Sequence, residues 1–203
     1  MTRIKLCGLS RPCDIEAANE LKPDYIGFVF ASISKRYVTY KKAMELKSQL
    51  SPEIQTVGVF INEHPQDVVK LLQNGIIDIA QLHGDEDEEY INRLRRLIDK
   101  PIIKAFRIKT ANDIKIAEQS SADYILLDSG AGTGIVFDWG LVKSIRKPYF
   151  LAGGLDARNV ADAVGALHPF AVDVSSGIEA NEVKDKTKMA SFVAAVRKED
   201  RLL

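Results

Sequence analysis

Ile4-Lys5-Leu6-Cys7-Gly8 is a short apolar run that ends in a lone cysteine followed by glycine. Seven more runs of the same character follow: Tyr25 to Phe30, Thr56 to Ile61, Ile79 to His83, Ile102 to Phe106, Tyr124 to Asp128, Tyr149 to Ala152 and Ala171 to Val174. Nearly continuous β-branched and aromatic stretches of this length predict strands buried on both faces, as in a parallel sheet. Their starts recur every 21 to 31 residues, the period of a strand–helix unit.

Helical spacing fills the intervals. Val68, Leu71 and Leu72 share a face after Pro65, which suits a first helical turn, and Gly75 stands where that helix should stop. Tyr90, Ile91, Leu94, Leu97 and Ile98 make the next stripe. Thr110 with Asp113 reads as a capping box, and Asp156 as the cap of a helix carrying Val160, Ala163, Val164 and Leu167. Met189, Phe192, Val193 and Val196 form the last stripe. Eight such units predict an α/β fold, a closed (β/α)8 TIM barrel that takes in residues 1–203 as one domain. The competitor is a doubly wound open sheet. It usually has fewer strands, and no G-x-G-x-x-G follows the first strand here.

Composition narrows the class. With 28 basic and 28 acidic residues the chain has no net charge, so no global field draws in nucleic acid or an anionic membrane. An anionic ligand would need a local site. Two cysteines do not make a disulfide scaffold and fit a reducing compartment. The start Met-Thr-Arg-Ile-Lys has no apolar run of signal-peptide length, and no stretch of 18 apolar residues occurs. A cytoplasmic protein is expected. Three scattered histidines give no zinc spacing, and no P-loop is present.

In a barrel the carboxyl ends of the strands face one mouth, where activity sits. Those ends carry Cys7, Arg36 (in the loop after the second strand), Asn62, His83, Arg107, Asp128, Gly153-Gly154 and Ser175-Ser176-Gly177. Glycine pairs after the seventh and eighth strands let backbone N–H groups approach an anion, the usual phosphate position in barrels. Gly130-Ala131-Gly132-Thr133-Gly134 can add Gly132 and Gly134 to the same pocket. Cys7 is either a small buried hydrophobe or a proton-transfer base or nucleophile; the functional reading needs its thiolate, favoured by Arg36, loop amides or a helix N-terminus. Asp128 abuts four apolar residues, and partial burial moves a carboxyl toward general-acid use. Arg36 can hold a carboxylate through two parallel bonds. His83 reads equally as pocket wall or structural histidine, Asp173 as a paired structural aspartate, and Cys13 as structural.

Taken together, Lys-Leu-Cys-Gly-Leu (5–9), Ser-Lys-Arg-Tyr-Val (34–38), Gln-Leu-His-Gly-Asp-Glu (81–86), Gly-Thr-Gly-Ile-Val-Phe-Asp-Trp (132–139), Leu-Ala-Gly-Gly-Leu-Asp (151–156) and Val-Asp-Val-Ser-Ser-Gly-Ile-Glu (172–179) resemble the phosphoribosylanthranilate isomerase family. The resemblance implies a barrel of the phosphate-binding (ribulose-phosphate-binding) type. It also implies an Amadori rearrangement in tryptophan biosynthesis that needs no cofactor and no metal. By motif, Cys7 would be the general base and Asp128 the general acid. Arg36 would hold the anthranilate carboxylate with His83 nearby, and Gly132, Gly134, Gly153, Gly154, Ser175, Ser176 and Gly177 would hold the phosphate. Ile135 and Ala131 depart from the family pattern. The implied partner is a small phosphorylated substrate, with no nucleic acid or membrane, and the chain could act as a monomer or homodimer. Two rivals are a histidine-pathway sugar isomerase, which has aspartate where Cys7 stands, and a non-catalytic phosphosugar-binding protein, which would have no use for Cys7 with Asp128.

Overall fold

A computed structural model describes residues 1–128 and 139–203. The eight apolar runs form β1 (Arg3–Cys7), β2 (Tyr25–Val29), β3 (Gln55–Phe60), β4 (Ile79–Leu82), β5 (Ile102–Arg107), β6 (Tyr124–Asp128), β7 (Tyr149–Ala152) and β8 (Ala171–Val174). Each strand end lies within one residue of the expectation. Every strand pairs in parallel with the next, and β8 returns to β1 with Ile4 opposite Val172 and Lys5 opposite Asp173, so the barrel closes.

The helices between strands are α1 (Pro12–Leu21), α2 (Tyr40–Lys47), α3 (Pro65–Gln73), α4 (Glu88–Arg95), α5 (Ala111–Gln119), α6 (Val160–Leu167) and α7 (Lys186–Glu199). Pro65 opens α3, and Gly75, at φ +66°, follows its end. Thr110 and Asp113 form the expected reciprocal box at α5. The expected cap at Asp156 is corrected. Helix α6 starts from Asn159, and Asp156 instead accepts from the Arg158 backbone N–H in the preceding turn. Its carboxylate is held by Arg158 on its own loop, which leaves the helix start to backbone bonds. Between β6 and β7 the described residues contain a 3-10 turn, Trp139–Ser144, rather than an α-helix.

Strand parity divides the side chains. One set, including Ile4, Leu6, Ile26, Phe28, Phe60, Leu82 and Ile125, packs against the helices as the main core. The other set fills the barrel. Tyr25, Val57, Ile79, Ile103, Leu126 and Phe150 form its lower layers, and Cys7, Val29, Ala31 and Val59 cluster near the mouth. On β1, β4 and β8 the residues between these levels are polar: Lys5, Gln81 and Asp173, all buried. After β8 the chain makes a 3-10 turn at Ser176–Ile178 and a small hairpin, β9 (Glu179–Ala180) with β10 (Val183–Lys184), that the apolar pattern does not foretell.

Candidate active site

A cavity of about 340 Å³ opens at the carboxyl ends of the strands. It is lined by Cys7, Arg36, His83, Asp128, Gly153, Gly154, Ser175 and Ser176 among others. Eight expected site residues from six different strands or their following loops therefore converge. Gly132 and Gly134 lie outside the described residues. Asn62, Arg107 and Gly177 do not line this cavity. Asn62 accepts from the Asp85 N–H at 2.8 Å and so ties two neighbouring loops, and Arg107 is exposed at the end of β5. A Cβ on Gly177 would stand 2.0 Å from the Leu155 carbonyl oxygen, so the residue behind the rim is small because two loops press together there. Cys13 is exposed at the start of α1 and does not line this cavity.

Cys7 is 7% exposed and faces the cavity rather than the helix layer. Gly27, its partner on β2, lets the sulfur occupy that place: a Cβ at Gly27 would lie 2.7 Å from Sγ. Burial pushes the thiol above its ordinary value, the Lys5 charge pulls it back, Asp173 pushes it up and Lys184 pulls it down. Two lysines to which no role was assigned thus favour the thiolate, and the Arg36 charge, as expected, also interacts favourably with it. Lys5 stands two residues before Cys7 on the same strand face, wholly buried, with Nζ 3.0 Å from Asp173 Oδ1. Burial works against its charge, but Asp173 and the Cys7 sulfur outweigh that and hold Lys5 above the ordinary lysine value. Asp173 is paired, as expected of it.

Asp128, at the end of β6, is partly buried and faces His83 at 3.5 Å from Nε2. Gln81 donates from Nε2 to His83 Nδ1 at 2.9 Å. Gln81 of β4 thereby steadies the ring of His83 beside the carboxylate. Gln81 Oε1 is buried with no hydrogen-bond partner among the described residues.

Arg36 reaches the cavity from the loop after β2. Its stem passes over Gly8, where a Cβ would meet Arg36 Cδ at 2.5 Å. The two parallel bonds expected of it are present, but to Glu179: Nε to Oε1 at 2.6 Å and Nη2 to Oε2 at 2.7 Å. Lys184, with 3% of its side chain exposed, donates to the same Glu179 at 2.5 Å. On the opposite rim Gly153 and Gly154 take φ of +87° and +65°, a left-handed pair that presents backbone rather than side chains to the cavity. They are a tight turn and a lining at once.

Lys5 could be found from the sequence, as a charge at strand spacing from Cys7 inside an apolar run. Glu179 closes one of the quoted motifs but carried no assigned role, and Lys184 lies in a hairpin that periodicity does not reveal.

Comparison with known proteins agrees with this geometry. The family model described as N-(5'phosphoribosyl)anthranilate (PRA) isomerase matches residues 4–195. An N-(5'-phosphoribosyl)anthranilate isomerase of Endomicrobium trichonymphae is 45% identical over 202 residues, spanning 97% of this chain and 99% of that one. The crystal structure of phosphoribosyl anthranilate isomerase from Thermotoga maritima superposes with a TM-score of 0.89 at 33% identity, over 98% of this chain and 100% of that one. A phosphoribosyl anthranilate isomerase in complex with reduced 1-(o-carboxyphenylamino)-1-deoxyribulose 5-phosphate has a TM-score of 0.86 at 33% identity, over 98% and 100% of the two chains. This chain belongs to the N-(5'-phosphoribosyl)anthranilate isomerase family.

Proposed function

We propose that the barrel converts N-(5-phosphoribosyl)anthranilate to the corresponding 1-deoxyribulose 5-phosphate by an Amadori rearrangement, the isomerisation step of tryptophan biosynthesis. The observation that carries this reading is the meeting of Cys7 and Asp128, from β1 and β6, in one cavity rimmed by Arg36 on one side and by Gly153, Gly154, Ser175 and Ser176 on the other.

Asp128 donates a proton to the ribose ring oxygen, and the ring opens to a Schiff base. Cys7 removes the proton from C2′, and the resulting enolamine tautomerises to the ketone. Each positioned proton transfer contributes about 10²–10⁴-fold in rate. The glycine and serine rim holds the phosphate, and Arg36 holds the anthranilate carboxylate. Gripping both ends places C2′ between the sulfur and the carboxyl, which adds positioning. His83 forms the wall beside Asp128. Lys5 and Lys184 stabilise the thiolate that the reaction needs. No cofactor enters any step. The cavity volume, about 340 Å³, falls at the lower end of the range of small-molecule sites.

The test is direct. Purified protein mixed with the aminoaldose should quench its anthranilate-type fluorescence at a rate proportional to enzyme. No loss above the uncatalysed rate would refute the assignment.

A further inference from the structure

Glu179 has no role in the chemistry just described, and Lys184 only an electrostatic one on the Cys7 thiolate, yet both side chains are almost fully buried and both touch groups of the binding rim. Arg36 lends its Nε and Nη2 edge to Glu179. Lys184 donates to Glu179 Oε1 at 2.5 Å, to the Ser175 carbonyl at 2.8 Å and to Ser175 Oγ at 3.3 Å. An unbroken chain of charged contacts therefore runs from Arg36 through Glu179 and Lys184 to the loop after β8. That chain joins the two ends of the cavity.

Two physical points give this chain a purpose. An arginine on a flexible stem must be frozen when it binds, and side-on capture by Glu179 freezes it beforehand. The Nη1 hydrogens and the outer Nη2 hydrogen still suit a second carboxylate. Glu179 alone would cancel the charge of Arg36 and repel a carboxylate. Lys184 prevents that: two cations around one anion leave a net positive charge at the rim. A stem held against Gly8 limits Arg36 further.

We propose that Glu179 and Lys184 are positioning residues for the isomerisation. Glu179 presets Arg36 for the substrate carboxylate, and Lys184 locks Glu179 to the Ser175 rim so that the carboxylate and phosphate ends are held at a fixed separation. The inference rests on the reading of Arg36 as carboxylate clamp and of that rim as phosphate site.

The experiment compares wild type, Arg36→Ala, Glu179→Gln, Lys184→Met and Lys184→Arg in steady-state turnover of N-(5-phosphoribosyl)anthranilate. Inhibition by 2-aminobenzoate and by inorganic phosphate reports on the two ends separately. Glu179→Gln should raise KM about tenfold with kcat within about threefold, the pattern of lost binding rather than lost chemistry. It should weaken 2-aminobenzoate and leave phosphate unchanged. Lys184→Met should weaken both inhibitors, and Lys184→Arg should restore part of the loss. A merely structural role would lower both inhibitor affinities and the melting temperature together in Glu179→Gln. If Lys184→Met fails to fold by circular dichroism, the shape-conserving Glu179→Gln decides alone. Wild-type KM and 2-aminobenzoate inhibition in Glu179→Gln, beside a raised KM in Arg36→Ala, would overturn the inference and spare the clamp. An unchanged KM in Arg36→Ala, or no turnover by wild type, would instead overturn the reading on which it rests.

Discussion

Lys5 and Asp173 occupy partner positions across the seam where β1 meets β8, and their side chains meet at 3.0 Å inside the barrel, one step below Cys7. Lys5 is wholly buried and Asp173 reaches only the cavity, so removing Lys5 leaves a poorly solvated carboxylate. Lys5→Met should therefore cost about 3–5 kcal/mol, the usual penalty for stranding one member of a buried pair. For a chain of this length that is a fall in melting temperature of about 6–20 °C. Calorimetry checks the figure; a fall of under 2 °C would show that the pair is not buried as described.

Cys7→Ala and Asp128→Asn should each lower kcat by at least about 10²-fold with the fold intact by circular dichroism. The double variant should fall little further than the worse single one, since acid and base serve one reaction path. Near-normal turnover in either single variant would remove that residue from the mechanism.

The pH behaviour of the two buried acids has opposite signs. Burial pushes the Cys7 thiol above its ordinary value of 9.0, so the native protein keeps a proton that the unfolded chain has lost. That contribution to stability is complete below the unfolded value and disappears as pH rises through the native one. The alkylation rate of Cys7 by iodoacetamide in the free protein should accordingly still be climbing above pH 9; a plateau below it would contradict the assignment. Burial also works to raise Glu179, but the bonds from Arg36 and Lys184 outweigh it and hold the carboxyl below 4.5. Its contribution is present above 4.5 and fades as pH falls, so Glu179→Gln should flatten the acid limb of the stability curve.

Gly177→Ala tests the pressing together of the loops after β7 and β8. The added methyl would meet the Leu155 carbonyl oxygen at 2.0 Å, a backbone contact that no side-chain rotation relieves. A loss of about 1–3 kcal/mol in urea unfolding is expected, with weaker inhibition by inorganic phosphate because Gly154 and Ser176 move apart. Wild-type values in both measurements would mean that the loops are not in contact in solution.

Much of this site can be read from strand parity alone. Once Ile4 to Cys7 is a strand, Lys5 must share a face with Cys7, and once eight such strands close, their ends must share a mouth. Nearly continuous β-branched and aromatic runs mark each strand, which is why the eight runs match the observed strands to within a residue. What escaped reading depends on chain that is neither strand nor helix. Glu179 and Lys184 meet because β9 and β10 fold back over the loop after β8, and no local spacing encodes where such a hairpin lands. The cap of α6 failed for a related reason. Asp156 and Asn159 are both good capping types three residues apart, and the neighbouring Arg158, which binds Asp156 at 2.5 Å, decided between them. Arg36 illustrates the limit of reasoning from residue type: its two parallel bonds were legible, their present partner was not.

Gly27 has a practical consequence for anyone wishing to redesign the pocket. Because the sulfur of Cys7 already fills the space a larger neighbour would need, a side chain at Gly27 cannot be added without shifting the general base. Libraries for bulkier aminosugars belong at Ile61, which lines the same cavity and lies outside the Cys7 cluster.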